Sequence, residues 1–460
     1  MSIQVDLLPV RAGLPMGGYG WSVDRRSDGS AANPLKIRCV ILVSQQGQRI
    51  VLVQTDIISI PRPLYQRILS RLVAAGVVSG AQNFVLAQSH THYGPMVGDK
   101  PDPYVLLGSE QAAADAKAYT DEFVEAIVRT SVAAHNKPLV EVTLGYAEGY
   151  AEVGENRLVP EASTIGKGAP HEVPVLVAQR TDNRDLFAVL AGHVCHPVCA
   201  AWASTALDAD FCGWAVDNAE KRLGAPVVFF QGAAGDVDPR NPPPGEDKVA
   251  FWGTRLADAV VATVRNAAHF PITGPITTAI TEAKLPYAVD FGDGTQVDAL
   301  RKKYQDRITA NDESPIGQAG VRHAKRMIAE LDAGNRPGYL PMTVQKLDLG
   351  GLTILTMSHE VLSGYHVGTK RNFAAKYGTK PLWVMAYAHH IDCYVPAYDV
   401  LSEGGRPESG WAGDPKIIGV GTYGLSYSLL APLSAGASAN DPNGVEAVVV
   451  QAINQMLGLS

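Results

Sequence analysis

Five short apolar runs in this 460-residue chain each end in residues that bind metals or move protons. Phe84 to Ala87 opens into Gln88-Ser89-His90-Thr91-His92-Tyr93-Gly94-Pro95, and Leu186 to Ala191 into Gly192-His193-Val194-Cys195-His196-Pro197. Val227 to Phe230 leads to Asp236 and Asp238, Leu352 to Thr356 to His359-Glu360, and Trp383 to Tyr387 to His389, His390 and Tyr394. Apolar runs of this length read as buried strands, and chemistry repeated at strand ends calls for a sheet system that gathers those ends at one edge. Side chains repeat every second residue along a strand, so His90 and His92 are expected on one face, close enough to share a metal or a substrate. A hydrogen-bonded core pair is the competing reading of an isolated His-x-His; the ligands available downstream favour the metal.

The rest of the chain supports an α/β class, with mixed β-sheets flanked by helices in a single catalytic domain over residues 1–460. Ile37 to Val43 and Ile50 to Gln54 read as a hairpin around Gln45-Gln46-Gly47-Gln48, followed by a helix near 62–76. Asp56, at the end of that hairpin, is expected either to orient a histidine ligand or to cap the helix. Strands are expected at Val140 to Tyr146, Val173 to Ala178, Leu186 to Ala191 and Met342 to Leu347, with Asn156-Arg157 in a loop. Val249, Trp252, Leu256, Val260 and Val264 have helical spacing, and Val445 to Leu457 reads as a closing helix. Met96 to Tyr119 is expected to be a lid-like segment before a helix opening at Thr120, and 290–315 an exposed insertion. Pro15-Met16-Gly17-Gly18-Tyr19-Gly20 lets backbone pass close to something, and no phosphate-loop pattern follows it.

A net charge of -7 with interspersed signs and no basic stripe argues against a nucleic-acid partner. No apolar stretch approaches the length of a membrane span, and the N-terminal residues lack the basic start and apolar core of a signal peptide, so a cytoplasmic location is expected. Cys39, Cys195, Cys199, Cys212 and Cys393 form an odd set without a Cys-x-x-Cys pair, which suits buried free thiols in a reducing compartment. A small-molecule substrate is the expected partner, and a homo-oligomer stays open.

Read together, five blocks resemble the catalytic domain of the neutral/alkaline non-lysosomal ceramidase family, zinc-dependent amidases that split the N-acyl bond of ceramide. They are PMGGYG with the later LKIRCVIL, then SHTHYGP, HPVC, GAAGDVDPR and YAHHIDCYVPAY, in the family's order over roughly residues 12–410. Carried over residue by residue, the resemblance implies one Zn2+ per chain on His90, His196, Glu360 and Tyr394. It implies His92 and Arg157 at the reacting centre, and Gly18, Tyr19, Asp236 and His389 lining the substrate site. Two imidazoles, a carboxylate and a phenol suit zinc.

The chain departs from the family where a serine is expected: Asp238 stands there. A carboxylate in that position implies a general base acting on metal-activated water, with His92 or Arg157 steadying the oxyanion. The family's immunoglobulin-like C-terminal domain is expected to be missing. The reading is therefore a zinc-dependent hydrolase of a soluble amide, with an esterase or lactonase on the same site, or a catalytically silent metabolite-binding descendant, as alternatives.

Overall fold

The computed structural model describes residues 1–19, 25–99, 110–158, 165–166, 168–403, 423 and 429–459. Gly20 and the central part of the expected lid, 100–109, lie outside them.

Three sheets hold most of the strands. The first orders Ser2–Leu7, Lys36–Val43, Arg49–Thr55 and Phe84–Gln88; the second orders Val227–Gln231, Leu186–His193, Glu172–Arg180, Val142–Tyr150 and Phe270–Ile272. The third orders Thr277–Leu285, Leu340–Asp348, Thr353–Met357 and Leu382–Met385. Each sheet is antiparallel except for one parallel pair: Arg49–Thr55 with Phe84–Gln88, Leu186–His193 with Val227–Gln231, and Thr353–Met357 with Leu382–Met385. A parallel pair needs a crossover, and each has a helix in its connection: Arg62–Ala74, Asp210–Leu223 and Ser363–Tyr377. The same strand, helix, strand unit thus occurs three times, and every expected ligand follows the carboxyl end of one of its strands.

The three units meet through one shared core. Val40, Leu52 and Val85 of the first sheet, Leu190, Val228 and Phe230 of the second, and Ile354, Trp383 and Met385 of the third belong to a single buried cluster. Each such aliphatic or aromatic side chain contributes about 1.5–3 kcal/mol by leaving water, which holds the sheet edges together. Backbone bonds then lace the strand ends: Gln88 N–H donates to Tyr387 O at 2.9 Å, Ala386 N–H to Gln231 O at 3.0 Å, and Ala388 N–H to Met357 O at 3.1 Å.

Most expected elements form close to their expected limits, including the helices Lys248–Asn266 and Val445–Leu457. The helix expected at Thr120 begins at Glu110 and runs to Asn136, because its first turns are alanine-rich and carry little periodic signal. The expected insertion at 290–315 instead contains the helix Gly294–Ala310 and the start of a second, Pro315–Asp332. Only Val297, Leu300 and Tyr304 of the first are buried, too few for a visible stripe. Its start signal is nonetheless present, since Asp293 accepts the N–H groups of Thr295 and Gln296. Asp56 takes neither expected role: it accepts from Arg38 Nη1 at 3.1 Å, from Lys36 N and from Gln54 Nε2. All five cysteines are buried free thiols, and no described helix is long and apolar enough to cross a membrane.

His193 and His323 are buried at 1% and 0% exposure. Desolvation pushes their pKa down to about 4 and about 3. Both values lie below the unfolded histidine value, so between them the unfolded chain binds more protons than the folded one. Stability is therefore full above roughly pH 6.5 and falls as the pH drops, by about 1–2 kcal/mol per histidine at pH 5. Urea midpoints at pH 7.5 and 5.0 measure this. His323→Gln, whose amide reaches for the same Leu429 carbonyl, should lose less on acidification; an equal loss would remove His323 from the account.

Candidate metal centre

The loop after Phe84–Gln88 brings His90 in with φ +69°, a left-handed backbone that a β-strand does not supply. The imidazoles of His90 and His92 therefore converge through a kink at the strand's end, with ring centroids 5.1 Å apart, and not through the pleat expected from their spacing. His359 (φ +72°), Tyr387 (φ +52°) and His389 (φ +62°) adopt the same backbone, so four of the seven described non-glycine residues with positive φ stand at these strand ends. Each costs on the order of 1–2 kcal/mol, and persists because neighbouring loops hold it. His90 N–H donates to Ile57 O at 3.1 Å, Tyr387 N–H to His359 O at 3.2 Å, and His359 N–H to His390 O at 3.0 Å.

His90, His92 and His196 offer nitrogens within 4.8 Å of one another. His90 Nδ1 lies 2.7 Å from Ile58 O, and His196 Nδ1 2.6 Å from Ala234 O. A carbonyl only accepts, so both Nδ1 atoms carry their proton, and in the neutral ring the lone pair sits on Nε2. Both Nε2 atoms face the same oxygen: Glu360 Oε2 is 3.1 Å from His90 and 3.0 Å from His196. His196 Nε2 is buried and makes no hydrogen bond despite that approach. Lone pairs aimed at a carboxylate repel it unless positive charge lies between them, and Glu360 is itself 0% exposed. Burial alone would push this carboxyl up, and only positive charge at the Nε2 positions, a proton or a cation, holds it well below its ordinary range. The donor set fits a divalent cation of the zinc kind.

One phenol reaching this oxygen is Tyr387, whose hydroxyl donates to Glu360 Oε2 at 3.2 Å and whose ring centroid is 4.5 Å from that of His90. Tyr394, expected as the phenol ligand, accepts from Arg157 Nη2 at 3.1 Å and holds its ring alongside His196. Strand Glu360–Val361 pairs in parallel with Tyr394–Val395, which keeps Tyr394 beside the centre.

Arg157 is buried and heavily committed. Its Nε donates to Tyr423 Oη at 2.8 Å, Nη1 to Asp238 Oδ1 at 3.0 Å, and Nη2 to Gly235 O at 2.6 Å as well as to Tyr394. Asp238, with a side chain one-third exposed, is thus held from one side by a fixed cation. Asp236, expected to line the substrate site, is 1% exposed and bound up with Ser363 and Asn156. It ties the start of the helix Ser363–Tyr377 to the short strand Gly154–Asn156. His389 also stands apart: it is fully buried, with Nε2 3.0 Å from Thr356 Oγ1 and its ring against Tyr65.

Gly18 and Tyr19 do join the centre. A Cβ on Gly18, at φ +105°, would lie 2.8 Å from the His92 side chain, so only glycine fits. The Tyr19 ring lies 5.0 Å from that of His92. Desolvation, then the neighbouring His90, pushes the His92 pKa well below its ordinary value, keeping this imidazole neutral. Sequence reasoning missed Tyr387, Tyr423 and Arg25. Arg25 is buried, donates to the carbonyls of Gly17 and His92, and stacks on Tyr19 and Tyr93. Only Tyr387, inside a quoted motif, had a signal that could have found it.

Of the further histidines considered for a second metal, His359 and His390 cluster with Asp392. Its hydrogen bonds argue against that role. His359 Nδ1 accepts the Asp392 N–H at 3.1 Å, while Nε2 lies 3.0 Å from Pro341 O, which leaves this ring no lone pair to give.

Metal analysis by inductively coupled plasma mass spectrometry tests the first centre. Wild type and the remote control His135→Ala should each bind about one zinc per chain, and His90→Ala and Glu360→Ala should lose it. Tyr387→Phe should weaken metal affinity about tenfold or more, and Tyr394→Phe less. The reverse order would return the phenol ligand to Tyr394.

No protein-family model matches the chain, and no curated protein matches it in sequence. Solved structures do. Neutral ceramidase from Pseudomonas aeruginosa superposes with a TM-score of 0.71 over 100% of this chain and 74% of that one, at 18% identity. A ceramidase complexed with C2 gives 0.67 over 89% and 71%, also at 18% identity. Strand-end loops from three sheets around one histidine cluster are thus built on a neutral-ceramidase-like fold.

Proposed function

We propose that this chain is a zinc-dependent hydrolase of amide bonds, with residues 1–460 working as one catalytic unit. The observation that carries the reading is the pair of Nε2 lone pairs, on His90 and His196, aimed at Glu360 Oε2. The similarity to ceramidase structures supports the choice of an amide. His90, His196 and Glu360, with Tyr387 beside them, would hold a zinc ion, which would supply Lewis acidity toward a carbonyl oxygen and toward water.

The protein's own groups divide the remaining work. Asp238 takes the proton from the attacking water as its oxygen bonds to the carbonyl carbon. It then delivers that proton to the nitrogen as the C–N bond breaks, so a carboxylic acid and an amine leave and the base is restored. Arg157 keeps the Asp238 carboxylate in one orientation. Neutral His92 donates a hydrogen bond toward the developing oxyanion. Tyr19 and Gly18 close the wall behind His92. The lone Asp238 in place of a serine makes the water route self-sufficient, because base and acid are one residue.

Purified enzyme is to be screened against matched acyl amides and esters. Amide hydrolysis is the expected activity, abolished by chelation and restored by zinc. Asp238→Asn should keep its metal while kcat falls about 10²–10⁴-fold with little change in KM. Unchanged turnover in that variant would remove Asp238 as the base, and turnover of esters alone would move the reading to an esterase.

A further inference from the structure

Away from the histidine centre, the helix Gly294–Ala310 presents two cations to a partly open hollow. Of its basic residues, Arg301 pairs with Asp332 at 3.2 Å and Lys302 with Asp306 at 2.6 Å. Lys303 and Arg307, one turn apart, form no ion pair among the described residues, and both line a cavity of about 240 Å³. Its remaining wall is mainly apolar, with Val289, Ala299, Leu300 and Pro432, and includes no carboxylate. Like charges at i and i+4 repel, and this pair has no acid to relieve it. Arg307 Nη1 is moreover a buried guanidinium nitrogen with no hydrogen-bond partner among the described residues. Such a donor, cut off from water, costs about 1–3 kcal/mol or more when it is left unmet. The other polar groups there are already engaged: Tyr304 Oη donates to Leu430 O at 2.7 Å, Gln296 Nε2 donates to Asp293, and Gln296 Oε1 accepts from Asp290 N.

We propose that this hollow binds a small carboxylate carrying a short apolar tail. Arg307 and Lys303 hold the carboxylate, and Val289, Ala299, Leu300 and Pro432 cover the tail. The charge selects an anion, since a planar guanidinium matches a carboxylate with two donors. The walls select an apolar body, and the volume, below the roughly 300–1,000 Å³ of sites for drug-sized molecules, keeps that body short. Occupation ties the helix to the Val289 and Pro432 segments and answers the Arg307 donor.

Octanoate is the probe, followed by isothermal titration calorimetry and by thermal unfolding of the full chain, with octylamine and inorganic phosphate as comparison ligands. Wild type is expected to bind octanoate and gain thermal stability, and octylamine to do neither. Arg307→Met should weaken octanoate binding about tenfold or more. Ala299→Trp, a change on the exposed side of the helix that fills the hollow, should abolish it with the fold intact. His90→Ala should bind octanoate as wild type does, which separates this site from the histidine centre. Absence of binding to wild type, or full binding by Ala299→Trp, would overturn the proposal. So would loss of binding in His90→Ala, which would send the carboxylate to the metal centre. Phosphate binding as well as octanoate would show a site that reads charge alone, and would overturn the apolar-tail part.

Discussion

Two imidazole lone pairs face one buried carboxylate oxygen, and the geometry around the centre follows from holding that arrangement. Neither histidine can turn away, because each Nδ1 proton is committed to a backbone carbonyl, of Ile58 or of Ala234. Those carbonyls belong to loops at the ends of different sheets. Rotating one ring would leave a buried carbonyl unmet, at about 1–3 kcal/mol, so the fold itself fixes the tautomer that can bind a metal. The left-handed residues His90 and Tyr387 belong to the same constraint. An ideal strand would carry each side chain past the centre, and the reversal of φ turns it in.

Three parallel crossovers make that convergence possible. In each unit the strand ends point the same way, and loops at carboxyl ends are where open α/β sheets place chemistry. Here the units lie in three separate sheets, and buried Gln231 joins two of them. Its amide donates to Cys195 O at 2.7 Å and to Ser89 O at 3.4 Å, spanning the His196 and His90 loops. Gln231 stands one residue beyond the apolar run Val227 to Phe230, so it reads in sequence as a loop residue.

Strand-end chemistry was the legible part of the sequence. Apolar runs bounded by Gly, Pro and His gave nearly every strand that carries the site, and His90, His196 and Glu360 do converge. What the sequence hides is the direction in which a loop residue points. Tyr387 stands at a left-handed position just past its strand and Tyr394 in a short strand seven residues on, a change of path that no period in the sequence marks. Asp236 and His389 have the composition of site residues and the partners of scaffolding, and only their hydrogen bonds tell the two apart. The polar helix Gly294–Ala310 was invisible to periodicity and readable from its Asp293 cap.

Arg157 carries the last step. A guanidinium free to meet an oxyanion needs unspent donors, and this one gives bonds to Tyr423, Asp238, Gly235 and Tyr394. Moving it toward a substrate oxygen would release Asp238 and Tyr394 together, so its contribution lies in alignment. In the proposed mechanism the oxyanion is left to His92, whose neutral ring follows from burial beside His90. An aspartate in place of a hydroxyl nucleophile is consistent with that division. In the proposed mechanism its carboxylate accepts two hydrogen bonds at once, one from Arg157 that sets its direction and one from the water it would deprotonate.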